Sequence, residues 1–362
     1  MPNATFLPQW SSPPGETMSQ LIRAKGLALS ELAVQLGWTA EEAQDLLAAR
    51  RAITFEVAGV LADAIGGTRR FWLTRESQYR DDLARLQQAA EEAEASGWLR
   101  SLPVKEMVSF GWLPETRDRL ELARSCLRFF EVESIHEWQH KCADLADSAA
   151  LRTSGTFPSS VGALASWLQR GEIEAQSATC ASWSPTGFRQ ALDQIRALTR
   201  QKEPAAFLPE LKRICSAHGV AVVAVRAPKG CRASGATRFV TPQRALLLLS
   251  FRYRSDDHFW FTFFHEAGHL LLHGESGSFI EDEGVGSSRF EEEANRFAED
   301  VLIPSNVRPA FGLLRNNTRD AIRFALRAGI SPGIVVGQLQ KQGRVPQNQL
   351  NRLKRRYQWS DT

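Results

Sequence analysis

The chain has no C-x-x-C pair. Its five cysteines (Cys126, Cys142, Cys180, Cys215 and Cys231) are odd in number and scattered along 362 residues, so they read as reduced thiols and point to a cytoplasmic protein. No apolar run approaches the length of a membrane span, and the opening Met1-Pro2-Asn3-Ala4-Thr5 lacks the basic and apolar regions of a signal peptide, so no membrane partner is expected. Charge of one sign is also missing: 44 basic and 41 acidic side chains leave a net +3, too little to imply nucleic acid or an anionic surface by itself. No repeat period emerges. What remains, 43% hydrophobic and 23% charged residues over a length sufficient for two or three domains, is ordinary for a soluble globular protein.

Against that plain background one stretch stands out, Phe259-Trp260-Phe261-Thr262-Phe263-Phe264-His265-Glu266-Ala267-Gly268-His269-Leu270-Leu271-Leu272-His273. On a helix His265 and His269 lie one turn apart, so both imidazoles leave the same face and can share one Zn²⁺. Glu266 projects beside them, placed to act as a base on a water rather than as a ligand. The aromatic and leucine flank predicts a buried helix, which keeps such a site dry and rigid. The expectation is a hydrolytic zinc enzyme, a protease.

Taken in order, the chain opens with a proline-containing lead-in over residues 1–16. Short helices follow: 18–25 stopped by Gly26, one capped by Ser30 and stopped by Gly37, one capped by Thr39 through Ala49, and one capped by Thr54 over 55–65. Four short helices with a glycine-bounded turn between the second and third predict a helix-turn-helix module. Pro14-Gly15-Glu16-Thr17, Leu29-Ser30-Glu31-Leu32-Ala33, Arg50-Arg51-Ala52-Ile53-Thr54 and Phe71-Trp72-Leu73 resemble the HigA-type antitoxin branch of the phage-repressor helix-turn-helix proteins, over residues 13–85. The resemblance implies that the third helix enters the DNA major groove. Here that helix carries Glu41, Glu42 and Asp45 and no base before Arg50 and Arg51, the two side chains that would reach DNA. Carboxylates facing phosphates weaken binding. The competing expectation is a retained fold used for homodimerisation or for docking a partner protein.

Residues 81–100 predict a solvated helix, and 101–200 a helical middle region with Trp112, Trp138, Trp167 and Trp183 as anchors. His136 and His140 have metal-compatible spacing but no evident third ligand. A helix over 207–215 and strands over 220–225, 234–240 and 244–251 follow, with a turn at Pro242-Gln243; Asp256 or Asp257 is expected to cap the metal helix. An edge of that small sheet can pair with an extended peptide. After Pro304, helices are expected at 318–328 and 333–340, and the basic tail Arg352–Trp359 as a solvated terminal helix.

Catalytic zinc wants a third protein ligand. His273 lies about 12 Å along the helix axis from His265, too far to share the ion. The acidic helix 290–301 offers better. Its apolar stripe runs through 290, 294, 297, 298 and 301, which turns Glu292 outward and leaves Glu291 and Glu293 on the two borders. Asn295 follows Glu291 by four residues and can hydrogen-bond a ligating histidine, which favours Glu291. Tyr253, His258 and His273 are candidates for substrate or oxyanion contacts.

His265-Glu266-Ala267-Gly268-His269, Glu291-Glu292-Glu293-Ala294-Asn295-Arg296-Phe297-Ala298 and Leu302-Ile303-Pro304 together resemble the ImmA/IrrE-type metallopeptidases over residues 205–305. That resemblance implies His265, His269 and Glu291 as zinc ligands, Glu266 as catalytic base, and cleavage of a repressor or antitoxin-like regulator. The position of Asn295 is commonly Asp in related motifs. The expected architecture is α+β and predominantly α: a helix-turn-helix domain over 1–85, a helical middle over 86–200, and a zincin-like peptidase domain with a small sheet over 201–362. The rival expectation is a DNA-binding antitoxin or autorepressor whose metal domain senses or binds without cleaving.

Overall fold

The computed structural model describes residues 10–143, 160–274, 279–281 and 289–358. The chain divides into two compact units, Met1–Ser96 and Gly97–Thr362.

In the first unit, α1 (Pro14–Lys25) starts on a proline at its first turn and stops at left-handed Gly26. The second helix, α2, spans Leu29–Leu36 and ends at left-handed Gly37; α3 spans Ala40–Leu47, and α4 spans Phe55–Ile65. Thr39 caps α3 through a reciprocal pair with Glu42, and Thr54 caps α4, both as the sequence predicts. Ser30 does not cap α2. The helix begins two residues earlier than that cap implies, at Leu29 with Ala28 at the N-cap, and the Glu31 carboxylate accepts from the Ala28 N–H. Helix α3 stops at Leu47, short of Ala49, whose φ of 56° is outside the helical range. Met18, Leu32, Leu46, Leu61 and Trp72 form the core. Trp72 sits at the start of α5 (Arg69–Leu99), its indole N–H donating to the Gly66 carbonyl at 2.9 Å.

The second unit is also mainly helical, around one small sheet. Helices α6 (Val104–Ser109), α7 (Arg119–Phe130), α8 (Ile135–Lys141), α9 (Val161–Gln176), α10 (Pro185–Leu198) and α11 (Pro204–Ser216) precede β1 (Val220–Ala224), β2 (Gly235–Thr241) and β3 (Arg244–Leu249). The order in the sheet is β1-β3-β2-β4, with β4 at Phe279–Glu281. Strand β1 runs parallel to β3, β2 antiparallel to β3 through the predicted Pro242-Gln243 turn, and β4 antiparallel to β2. Strands β1 and β3 are buried on both faces, which is why they read as unbroken apolar runs. Val220, Val222, Leu247 and Leu249 face the core shared with α10 and α11, while Ala221, Val223, Leu246 and Leu248 face Trp167 and Leu164 of α9.

Helix α12 (Asp256–His273) lies across the first of these layers and sinks Phe259, Trp260, Phe263, Phe264, Ala267 and Leu270 into it. Its N-cap is Ser255; Asp256 and Asp257 occupy the first turn instead, for a reason the tail supplies. Helices α13 (Arg289–Leu302), α14 (Arg308–Gly312), α15 (Thr318–Ala328) and α16 (Pro332–Lys341) complete the unit. The tail is not a solvated helix. After a 3₁₀ turn at Asn351–Leu353 it runs extended against α12: Lys354 pairs with Asp257 at 2.6 Å, the Arg355 N–H donates to Asp256 at 3.0 Å, and Tyr357 is buried. The Arg355 guanidinium caps the carbonyls of Thr199, Arg200 and Gln201. The basic residues of the tail are thus consumed within the chain, and Trp359 lies outside the described residues. No described helix is long and apolar enough to cross a membrane.

Candidate metal centre

The apolar side of α12 fixes its rotation, so the opposite face presents His265 and His269 one turn apart. Both are about 1% exposed. Their Nε2 atoms approach to 2.9 Å and converge on Glu291 of α13, with Glu291 Oε2 3.2 Å from His265 Nε2 and Oε1 3.4 Å from His269 Nε2. Three ligand atoms of this kind within 4.8 Å of one another can hold a metal ion, and no other such group occurs among the described residues. His136 and His140, both exposed, gain no third ligand.

Helix α13 reaches the site because Gly268, inside the His-Glu-x-x-His segment, has no side chain. A Cβ there would stand 3.0 Å from Phe297 Cδ1 and 3.3 Å from Ala294 Cα. Glu292 points to solvent. Asn295 Oδ1 lies 3.2 Å from His265 Nδ1, one turn beyond Glu291. An N–H at Nδ1 donating to that oxygen leaves the Nε2 lone pair toward Glu291. Burial pushes the His269 imidazole below its ordinary pKa, Glu291 pulls it up, and His265 opposes that pull; the net direction favours the neutral ring a metal requires. For Glu291 burial alone would raise the pKa, but the hydrogen bonds and charges of His265 and His269 outweigh it and hold the carboxylate well below the usual range. Two imidazoles and one carboxylate, with the non-ligating nitrogen of His265 already engaged, are a fitting donor set for a borderline divalent ion.

Glu266 is fully buried on the neighbouring face and packs against the first residue of β2. A Cβ on Gly235 would fall 2.5 Å from Glu266 Oε1 and 2.6 Å from Thr262 Cγ2. Sequence reasoning missed Gly235, which looks like any loop-to-strand glycine until the sheet is folded onto α12.

The remaining predicted residues divide into two groups. Tyr253 and His258 stack with ring centroids 4.4 Å apart and line a cavity of about 360 Å³, together with Phe261, Thr262, Gln338 and Lys341. His258, Thr262, His265 and His269 follow one another at helical spacing, so the cavity lies upstream on the metal-facing side of α12. His273 is elsewhere: it is 5% exposed, stands behind His269, and contacts Glu293, the glutamate on the other border of the α13 stripe. In the first unit, Arg50 pairs with Asp45 and Arg51 with Glu42, each at 2.6 Å, and the Arg51 guanidinium lies over the Trp38 ring.

Residues 215–339 match the family model described as the IrrE N-terminal-like domain of the M78 peptidases. The match spans the sheet, α12, α13 and most of α16, and assigns this segment to a metal-dependent peptidase type. It does not extend to the first unit. No curated protein matches the chain.

Proposed function

We propose that the chain is a zinc-dependent endopeptidase that cleaves a partner regulator protein, with the N-terminal unit as a helix-turn-helix module that docks this partner. The observation that carries the reading is the convergence of His265, His269 and Glu291 beside a buried Glu266, within a segment of metallopeptidase type. When bound, zinc would acidify a water and polarise the scissile carbonyl. Glu266 takes the proton from that water and passes it to the leaving amine. Gly235, with no side chain, leaves the space beside β2 that this carboxylate occupies. The substrate backbone extends along the edge of the sheet at β4, as an added strand, because β4 pairs with β2 at the very residue that touches Glu266. The cavity beside Phe261 and Tyr253 receives a side chain of that peptide.

The deciding experiment is Glu266→Gln. Cleavage of a co-expressed regulator, followed by mass spectrometry of its fragments, is expected to fall by about 10²–10⁴-fold, with zinc content unchanged. Absence of any cleavage by the wild type, with regulation unchanged in Glu266→Gln, would support the rival reading of a metal-binding regulator that does not cut.

A further inference from the structure

Behind the ligands, a second chain of hydrogen bonds runs away from the metal position. His269 Nδ1 and His273 Nδ1 are 3.2 Å apart, His273 Nε2 is 2.9 Å from Glu293 Oε2, and Glu293 Oε1 accepts from Arg289 Nε at 2.8 Å. The placement of protons along this chain follows from what each group can do. An ionised carboxylate only accepts, so His273 Nε2 carries the hydrogen that meets Glu293. With Nε2 turned to Glu293, it is Nδ1 of His273 that faces His269. A His269 that ligates through Nε2 carries its hydrogen on Nδ1, which then donates to His273 Nδ1. Asn295 accomplishes the same for His265 by a separate contact.

We propose that His273 and Glu293 are positioning residues for the metal centre: Glu293, through His273, holds His269 in the tautomer and orientation that bind the ion. The inference rests on the zinc-site reading above and adds to it a division of labour between two glutamates of α13, Glu291 on the ion and Glu293 on a histidine that never touches it. Hydrogen-bonding groups behind metal ligands typically contribute about 10–100-fold in metal affinity. Glu293 is the better handle for a test, since its side chain is about one-third exposed and its loss opens no cavity, whereas His273 is buried.

The test has two arms. Zinc affinity is measured by competition with a chelator for the wild type, Glu293→Ala, Glu293→Gln and His273→Phe. Glu293→Ala and His273→Phe are expected to weaken binding about 10–100-fold, and Glu293→Gln, which keeps an accepting oxygen, to recover most of the loss. A packing role alone would lower thermal stability but leave affinity unchanged in Glu293→Ala, which overturns the proposal. In the second arm, ¹⁵N NMR of the metal-free wild type locates the imidazole protons: Nδ1 on His269 and Nε2 on His273 support the relay, and a proton on His269 Nε2 overturns it. Should His273→Phe fail to fold, Glu293→Ala and the NMR decide. A wild type that takes up no zinc defeats the zinc reading, and the NMR arm still judges the relay separately.

Discussion

At the scale of single residues, the base is constrained more tightly than the ligands. His265 and His269 are each oriented by a side chain that could be exchanged for another acceptor, but Glu266 is pressed by a backbone. Gly235→Ala would put a Cβ within 2.5 Å of Glu266 Oε1 and 2.6 Å of Thr262 Cγ2. Either the carboxylate turns away or β2 lifts from α12. The expected result is a loss of more than about tenfold in kcat, a stability loss of about 1–3 kcal/mol, and zinc binding close to wild type. Steady-state kinetics paired with a zinc titration separates this outcome from a general loss of fold. Wild-type kcat in this variant would show that Glu266 is not where the chemistry needs it.

Among elements, the metal site is a crossing of α12 and α13, and its height is set by Gly268. Gly268→Ala is tight, with 3.0 Å to Phe297 Cδ1; Gly268→Val adds two methyl groups toward Ala294 and Phe297. The valine is expected to push α13 away, carry Glu291 off the imidazoles, and weaken zinc at least about tenfold, while the alanine loses less; chelator competition orders the series. An order reversed from this would mean that α13 is positioned by other contacts. Most of this crossing was legible in the sequence. The one-turn histidine spacing, the apolar stripe of 290–301 and the step from Glu291 to Asn295 are periodicities, and periodicity survives folding. The paired strands 220–224 and 244–249 were legible by composition rather than period, as short β-branched and leucine runs bounded by turns. What could not be read were meetings between distant segments. Gly235 on Glu266, His273 on Glu293 and the tail on Asp256 join residues without a shared pattern. The expected Asp256 cap failed in this way: its carboxylate is drawn inward by partners 75 and 99 residues away.

Over the whole molecule, charge is divided unevenly between the two units. Residues 1–96 carry nine basic and thirteen acidic side chains, a net −4, so residues 97–362 carry a net +7. Together with the pairing of Arg50 and Arg51 to Asp45 and Glu42, this favours the proposed docking of a protein over contact with phosphates. Duplex DNA binding by the full chain, followed by anisotropy between about 50 and 200 mM salt, is expected to be unaffected by R50A/R51A; a tenfold loss would place α3 in the groove. The closure of the chain onto itself makes a different prediction. Asp256 is fully buried, accepts from the Ser331 hydroxyl at 2.7 Å and the Arg355 N–H at 3.0 Å, and lies beside Asp257. Burial pushes its carboxyl up to about 6, with the Asp257 charge adding and the Ser331 and Arg355 contacts opposing. Its ordinary value is near 3.9, so between these limits the folded chain holds a proton that the unfolded chain has lost. The stability from Asp256 is therefore fully present below about pH 4 and disappears as the pH rises through about 6, on the order of 3 kcal/mol in all. Asn at this position imitates the protonated acid, its oxygen accepting from the Asp257 and Arg355 N–H groups and its amide donating to Ser331. Denaturant unfolding of the wild type and D256N across this pH range should show matching stabilities at the acid end and an advantage for D256N above pH 7. Parallel curves would mean that the carboxylate is stabilised as an ion where it sits, and that the tail is tied down by charge rather than in spite of it.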